Sequence, residues 1–180
     1  MAEGLMRHAL KGKAGFEVLS AGLNTGYGQR PSEHSVCAMR ELGMDISSIR
    51  SQPVTADLVK RSDVIFVMTH GHKRSLLSMF PTASSKTFLL REMEDGVAEE
   101  EQDVPDPIGQ SYSVYLDCRD AIQSAIPSLL KFMQNQAQPP SGKTSSPRKI
   151  RLAMGADHGG VELKAALKAD RKSTRLNSSH

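Results

Sequence analysis

Five consecutive apolar residues, Val64-Ile65-Phe66-Val67-Met68, constrain the fold of this chain more than any other feature. A β-branched and aromatic run with no polar alternation describes a strand buried on both faces, as in a parallel sheet covered by helices on either side. The run is far short of the roughly 20 residues of a membrane span. No apolar segment near Met1 has the form of a secretory leader. Two cysteines, Cys37 and Cys118, with no Cys-x-x-Cys pair, fit a reducing compartment and exclude a disulfide scaffold or a structural zinc site. A cytoplasmic protein without a membrane partner is expected.

Around that strand the pattern alternates. Leu5, Met6, Ala9 and Leu10 form one stripe of a helix over 2–10, ended by Gly12 and Gly15. Residues 16–19 read as a short strand, followed by a glycine-bearing loop over 20–31. Ser32 is placed to cap a helix through Leu42, and Thr55 to cap another over 56–62. A helix over 71–79 stops before Pro81, and a strand over 86–90 and an acidic loop over 91–105 follow. The last long helix spans 111–133, bent at Pro127. Strands alternating with helices predict an α/β fold, a three-layer open parallel sheet. Residues 134–148, rich in Pro, Ser and Gln, read as a linker. A new strand over 150–155 and a new helix over 161–169 then open a second α/β unit, too short to be a domain by itself.

The formal charge is +3. Residues 1–133 carry an acidic excess, and the basic excess falls in the linker and the tail. Without aromatic residues between those cations, nucleic acid is not expected as a partner. Residues 170–180 have neither helical nor strand period and match, residue for residue, the translation of a short-read sequencing adapter. They are set aside from the fold reading as an artefact.

Four short motifs occur in order: Met1-Ala2-Glu3-Gly4-Leu5, Ser20-Ala21-Gly22, Val67-Met68-Thr69-His70 and Asp103-Val104-Pro105-Asp106-Pro107. In this order and spacing, residues 1–133 resemble the low-molecular-weight protein tyrosine phosphatase family, which also includes arginine phosphatases and arsenate reductases. Asp106-Pro107-Ile108-Gly109 together with Met68-Thr69-His70-Gly71-His72-Lys73 is most similar to the arginine-phosphatase-like branch. The resemblance implies a cysteine-dependent hydrolase acting on a phosphorylated protein or small phosphomonoester, with no cofactor and no metal. It also implies a Cys-x5-Arg phosphate loop, followed by Ser-Pro, directly before the Met-Ala-Glu that opens this chain. That loop and the strand leading into it, central between 16–19 and 64–68, are expected to be missing.

Neither cysteine replaces the nucleophile: six residues after Cys37 is Gly43, and six after Cys118 is Ser124, so no arginine is correctly spaced. Both lie in predicted helices, where a buried thiol is inert. Asp106 is the catalytic candidate that remains. The dipeptide Asp-Pro alone reads as a turn; within the motif order, the resemblance makes Asp106 the general acid that protonates the leaving oxygen or nitrogen. His70-x-His72 has no third ligand type beside it and reads as a loop-to-helix surface rather than a metal pair.

A second resemblance covers Met154-Gly155-Ala156-Asp157-His158-Gly159-Gly160-Val161-Glu162-Leu163-Lys164, which is similar to the opening of ribose-5-phosphate isomerase B. It implies a pentose phosphate ligand, with Asp157 and His158 as substrate-binding residues beyond the strand's carboxyl end. The expected whole is a phosphatase unit (1–133), a linker (134–148) and the start of an isomerase unit (149–169), inactive as this fragment. An arsenate reductase, or a non-catalytic phosphate-binding or interaction module, are the alternatives.

Overall fold

In the computed structural model, residues 1–137 and 150–155 are described. Four strands form one parallel sheet in the spatial order β1 (Phe16–Ala21), β4 (Ile150–Gly155), β2 (Val64–Val67), β3 (Thr87–Leu89). The apolar run behaves as its composition demands. Val64, Phe66 and Met68 face one side, where α1 (Ala2–Ala9) and α5 (Tyr112–Ala137) bury Leu5, Met6, Ile122, Ile126, Leu129 and Met133 against them. Ile65 and Val67 face the other, against Val59 of α3 (Ala56–Arg61), Leu76 of α4 (His70–Met79) and Leu89. Both sides of the strand are buried because a helix layer lies on each.

The first layer is tightened by aromatic contact. Phe132 of α5 meets Phe88 edge-on at 5.0 Å and Phe66 at 6.2 Å between ring centroids. α2 (Glu33–Arg40) is tied to α5 through Arg119, which donates to the Ala38 carbonyl at 3.0 Å and to Glu41 Oε2 at 2.8 Å. Tyr112 donates to the other Glu41 oxygen at 2.6 Å. That bond, from α5 into the α2 terminus, pushes the Tyr112 phenol up to about 12.

Local capping follows the sequence. Ser32 Oγ accepts from Ser35 N, Thr55 Oγ1 from Leu58 N, and Thr69 Oγ1 from His72 N, each satisfying a first-turn donor of its helix. α5 continues to Ala137, so the first four residues expected in the linker are helical. Gln134, Asn135, Gln136 and Ala137 carry no breaker, and extending a formed helix needs no new nucleus. The expected helix over 161–169 lies outside the described residues.

One expectation differs in an informative way. The position between β1 and β2 does not stand open: β4 fills it, paired in parallel with both, Phe16–Ala21 against Ile150–Gly155 and Val64–Val67 against Leu152–Gly155. The strand expected to open a separate unit belongs to the sheet of the first. A parallel pair set one strand apart exposes two rows of unpaired N–H and C=O groups, and a short apolar strand satisfies both rows at once. Its entry is fixed by a reciprocal clasp, Arg151 N to Asp63 Oδ2 at 3.0 Å and Asp63 N to the Arg151 carbonyl at 2.9 Å.

Two outcomes follow for stability. Proline at Leu152 removes a backbone donor from the middle of the sheet and orphans its acceptor, which costs about 1–3 kcal/mol. The Leu152→Pro chain should melt earlier and less cooperatively than the parent by circular dichroism; an unchanged transition would contradict a central β4. Gly4 on α1 sits where a Cβ would come 2.5 Å from Ile46 Cγ2 and 3.2 Å from Met39 Cε. Gly4→Ala should therefore destabilise the fold by about 1–3 kcal/mol in urea titration, despite alanine's higher helix propensity.

Candidate functional site

Open parallel sheets bind ligands beyond the carboxyl ends of their strands. Here those ends are Ala21, Val67 and Gly155, and the chain segments leaving β1 and β2 line two adjoining cavities. The larger, about 140 Å³, lies between the α1 start, Ser20–Gly22, Gln29–Pro31 and Ile49–Gln52, with Arg30 and Arg50 contributing cationic side chains. The smaller, about 60 Å³, is bounded by Met1, Ala2, Ser35, Met68, His72, Val104–Pro107, Cys118 and Ile122. Met1, Ala2, Ser35 and Met68 border both, so the two cavities share the N-terminal end of α1.

That end carries the partial positive charge of a helix start. Met1 occupies the cap position without a side-chain cap, so the first-turn N–H groups of α1 receive no capping side chain, and the helix dipole adds partial positive charge. Glu3, 7% exposed, does not face an incoming anion as a loose charge: it accepts from Ser20 Oγ and pairs with Arg7 Nη2 at 2.6 Å. Arg7 also donates through Nε and Nη2 to the Val18 carbonyl, which ties α1 to β1. The Met1 α-amino group is enclosed in the same place, and burial pushes its pKa below the ordinary value against the opposing pull of Cys118 and Glu3.

Asp106 enters the smaller cavity from a loop stitched to the end of β2. Val104 N donates to the Met68 carbonyl at 2.8 Å, and Asp103 Oδ1 accepts from both the backbone N of His70 at 2.7 Å and its ring Nδ1 at 2.8 Å. Past Asp106 the chain turns: Gln110 N donates to the Pro107 carbonyl, and Gly109 takes φ +76°, a conformation that favours glycine. Asp106 Oδ1 accepts from Ile108 N at 3.0 Å. The Asp-Pro pair is therefore a turn and a cavity wall together; the turn holds the half-buried carboxylate in place.

Asp103 is held in its ionised form by the histidines beside it. For Asp103 burial is the largest influence and pushes the pKa up, but the two hydrogen bonds and the charge of His70, with His72, outweigh it and leave the carboxyl below its ordinary 3.8. A depressed carboxyl adds stability that is complete above its unfolded pKa and is lost as pH falls through the folded value. Asp103 thus secures the loop throughout the neutral range.

Cys118 proves to line the Asp106 cavity, which its helical position alone did not reveal. Burial first of all, with the nearby Asp106 charge, pushes its thiol up to about 11 even though the Met1 ammonium pulls the other way. A nucleophile at neutral pH needs the opposite shift. Cys37 is exposed on α2 and borders neither cavity. His70 is engaged with Asp103, and His72, like Ser35, joins the cavity wall; their spacing in the sequence signalled a helix start but not this placement. Among the described residues no three His, Cys, Asp or Glu side chains gather in a way that would hold a metal, and no helix is long and apolar enough to cross a membrane. Asp157 and His158 lie outside the described residues.

Residues 1–139 match the family model described as low molecular weight phosphotyrosine protein phosphatase. A probable low molecular weight protein-tyrosine-phosphatase, EpsP, of Ralstonia solanacearum is 35% identical over 128 residues, which are 70% of this chain and 81% of that protein. The protein-arginine-phosphatase of Geobacillus stearothermophilus is 30% identical over 122 residues, 68% of this chain and 80% of its own length. The solved structure of the arginine phosphatase YwlE from Geobacillus stearothermophilus superposes with a TM-score of 0.67 at 30% identity, covering 75% of this chain and 84% of that one.

The thiol environments give a direct check. At pH 8 a thiol of pKa about 11 is ionised in about one molecule in a thousand. Iodoacetamide should alkylate Cys37 in the native chain and reach Cys118 only after denaturation, as read by peptide mass spectrometry. Rapid native labelling of Cys118 would show an activated thiolate in the cavity.

Proposed function

The chain belongs to the low molecular weight phosphotyrosine protein phosphatase family, and from that premise we propose that its cleft hydrolyses phosphorylated side chains, with Asp106 as general acid. The observation that carries this reading is the placement of Asp106 in a cavity that also receives the N-terminal end of α1. A helix start holds phosphoryl oxygens through its N–H groups, and a carboxyl beside it reaches the leaving atom. Phosphotyrosine and phosphoarginine are the substrate classes, since relatives at 35% and 30% identity carry those two activities in their names.

In this reading a thiolate attacks phosphorus, the bond to the leaving oxygen or nitrogen breaks, and Asp106 transfers its proton to that atom. Asp106, now ionised, then draws a proton from water as the water attacks the phosphocysteine and frees the thiolate. Cys118 and Cys37 are unsuited to the first step, for the reasons of burial and position given above. A Cys-x5-Arg loop of the kind the family resemblance implies would supply the thiolate and its partner arginine. The strand that leads into that loop competes in this proposal for the position that β4 occupies, because both suit a parallel slot between β1 and β2.

For the remainder we propose that residues 149–169 begin a sugar-phosphate isomerase unit, with Asp157 and His158 contacting a pentose phosphate, joined by the segment before Ile150. Its support is the strand-and-loop motif quoted above. Residues 170–180 stay outside this assignment.

The test separates cleft from nucleophile. The chain of 180 residues should show no turnover of p-nitrophenyl phosphate or phosphoarginine, whereas the chain preceded by a strand and a Cys-x5-Arg-Ser-Pro loop should turn over both. In that extended chain Asp106→Asn should lower kcat/KM by about 10²–10⁴ for a phenyl phosphate with a poor leaving group. The loss should shrink for p-nitrophenolate, which leaves without a proton. Equal losses across leaving-group pKa would show that Asp106 shapes the loop and donates no proton.

A further inference from the structure

We propose that His72 is a phosphoryl-contacting residue of the Asp106 cleft, its Nδ1 donating a hydrogen bond to an oxygen of the bound phosphate; this rests on the phosphatase reading above. Two histidines open α4, and the structure gives them different surroundings. His70 is fully committed, its backbone N and ring Nδ1 both within 2.8 Å of Asp103 Oδ1. His72 sits two residues further on, its backbone N fixed by Thr69 Oγ1 at 3.1 Å. Its side chain forms part of the 60 Å³ cavity that holds Asp106, Pro107 and the α1 start. Within that wall His72 Nδ1 is buried and makes no hydrogen bond, and among the described side chains it is the buried nitrogen or oxygen for which this holds.

A buried polar atom left unmade is costly, and an apolar ring of the same shape would serve the packing at less cost. Nδ1 is therefore explained by a group that arrives in the cavity. The neighbours specify its chemistry. The uncapped N–H groups of α1 suit an anion, and the Asp106 carboxyl suits the atom bridging to the leaving group. A phosphoryl oxygen accepts from Nδ1–H while the α1 donors take the others. Cys118, in the same wall, makes no hydrogen bond to His72 Nδ1.

The experiment uses the full chain, inorganic phosphate as the probe, and nitrogen-15 labelled histidine read by NMR. Saturating phosphate should shift the His72 Nδ1 resonance. His72→Phe should weaken phosphate binding about tenfold or more, in line with the loss of one charge-assisted hydrogen bond. His72→Asn, whose amide takes the place of Nδ1, should restore affinity to within about threefold of the parent. Without phosphate the His72→Phe chain should melt about 2–4 °C higher, since it removes an unpaired buried atom; a purely structural histidine would give the opposite sign. Equal phosphate affinity in the parent and His72→Phe, or an unmoved Nδ1 signal at saturation, overturns the proposal and leaves the cleft assignment standing. A parent chain that takes up no phosphate at millimolar concentration overturns both. If His72→Phe does not fold, the Nδ1 titration of the parent decides alone.

Discussion

The burial of β2 from both sides is the constraint to which every other element is fitted. Val64, Phe66 and Met68 require α1 and α5 on one face, and Ile65 and Val67 require α3 and α4 on the other. Because side chains alternate at every residue along an extended segment, five consecutive residues are enough to organise two cores. The site hangs from the same strand. Met68, next after it, accepts from Val104 and so anchors the loop carrying Asp106, while Thr69 caps α4 and places His72. A change in β2 register would flip its cores and displace both walls of the cleft together.

The insertion of β4 shows how strongly two facing parallel edges call for a partner. Strands adjacent in sequence, β1 and β2, are not adjacent in space; the strand between them comes from nearly ninety residues beyond β2 (Ile150 against Val64). Such a pairing closes a long loop, an entropic cost that grows only slowly with length, and gains two ladders of backbone hydrogen bonds. The Arg151–Asp63 clasp then sets which residue lies beside which.

Electrostatics divides the labour among the acidic groups at the cleft. Asp103 is held ionised by His70 and works as an anchor, and Glu3 is absorbed by Ser20 and Arg7. Asp106 Oδ1 accepts from Ile108 N in the turn that shapes its loop, and it is the carboxylate that borders the smaller cavity. Burial keeps the Cys118 thiol, which lines the same cavity, in its protonated form.

The sequence by itself determined the parts governed by local pattern. The apolar run at 64–68, the caps at Ser32, Thr55 and Thr69, and the strand over 150–155 all follow from side-chain period and capping chemistry, which act within a few residues. The order of four short motifs likewise points to the phosphatase family whose model matches residues 1–139. Tertiary structure alone decided what depends on distance through space. It put β4 between β1 and β2, carried α5 four residues past its expected end, and turned Cys118 and His72 toward Asp106. No periodicity encodes which sheet an apolar strand joins, or which wall a helical cysteine faces. Those outcomes are set by the unpaired backbone edges and cavity shapes that exist only once the other elements have packed.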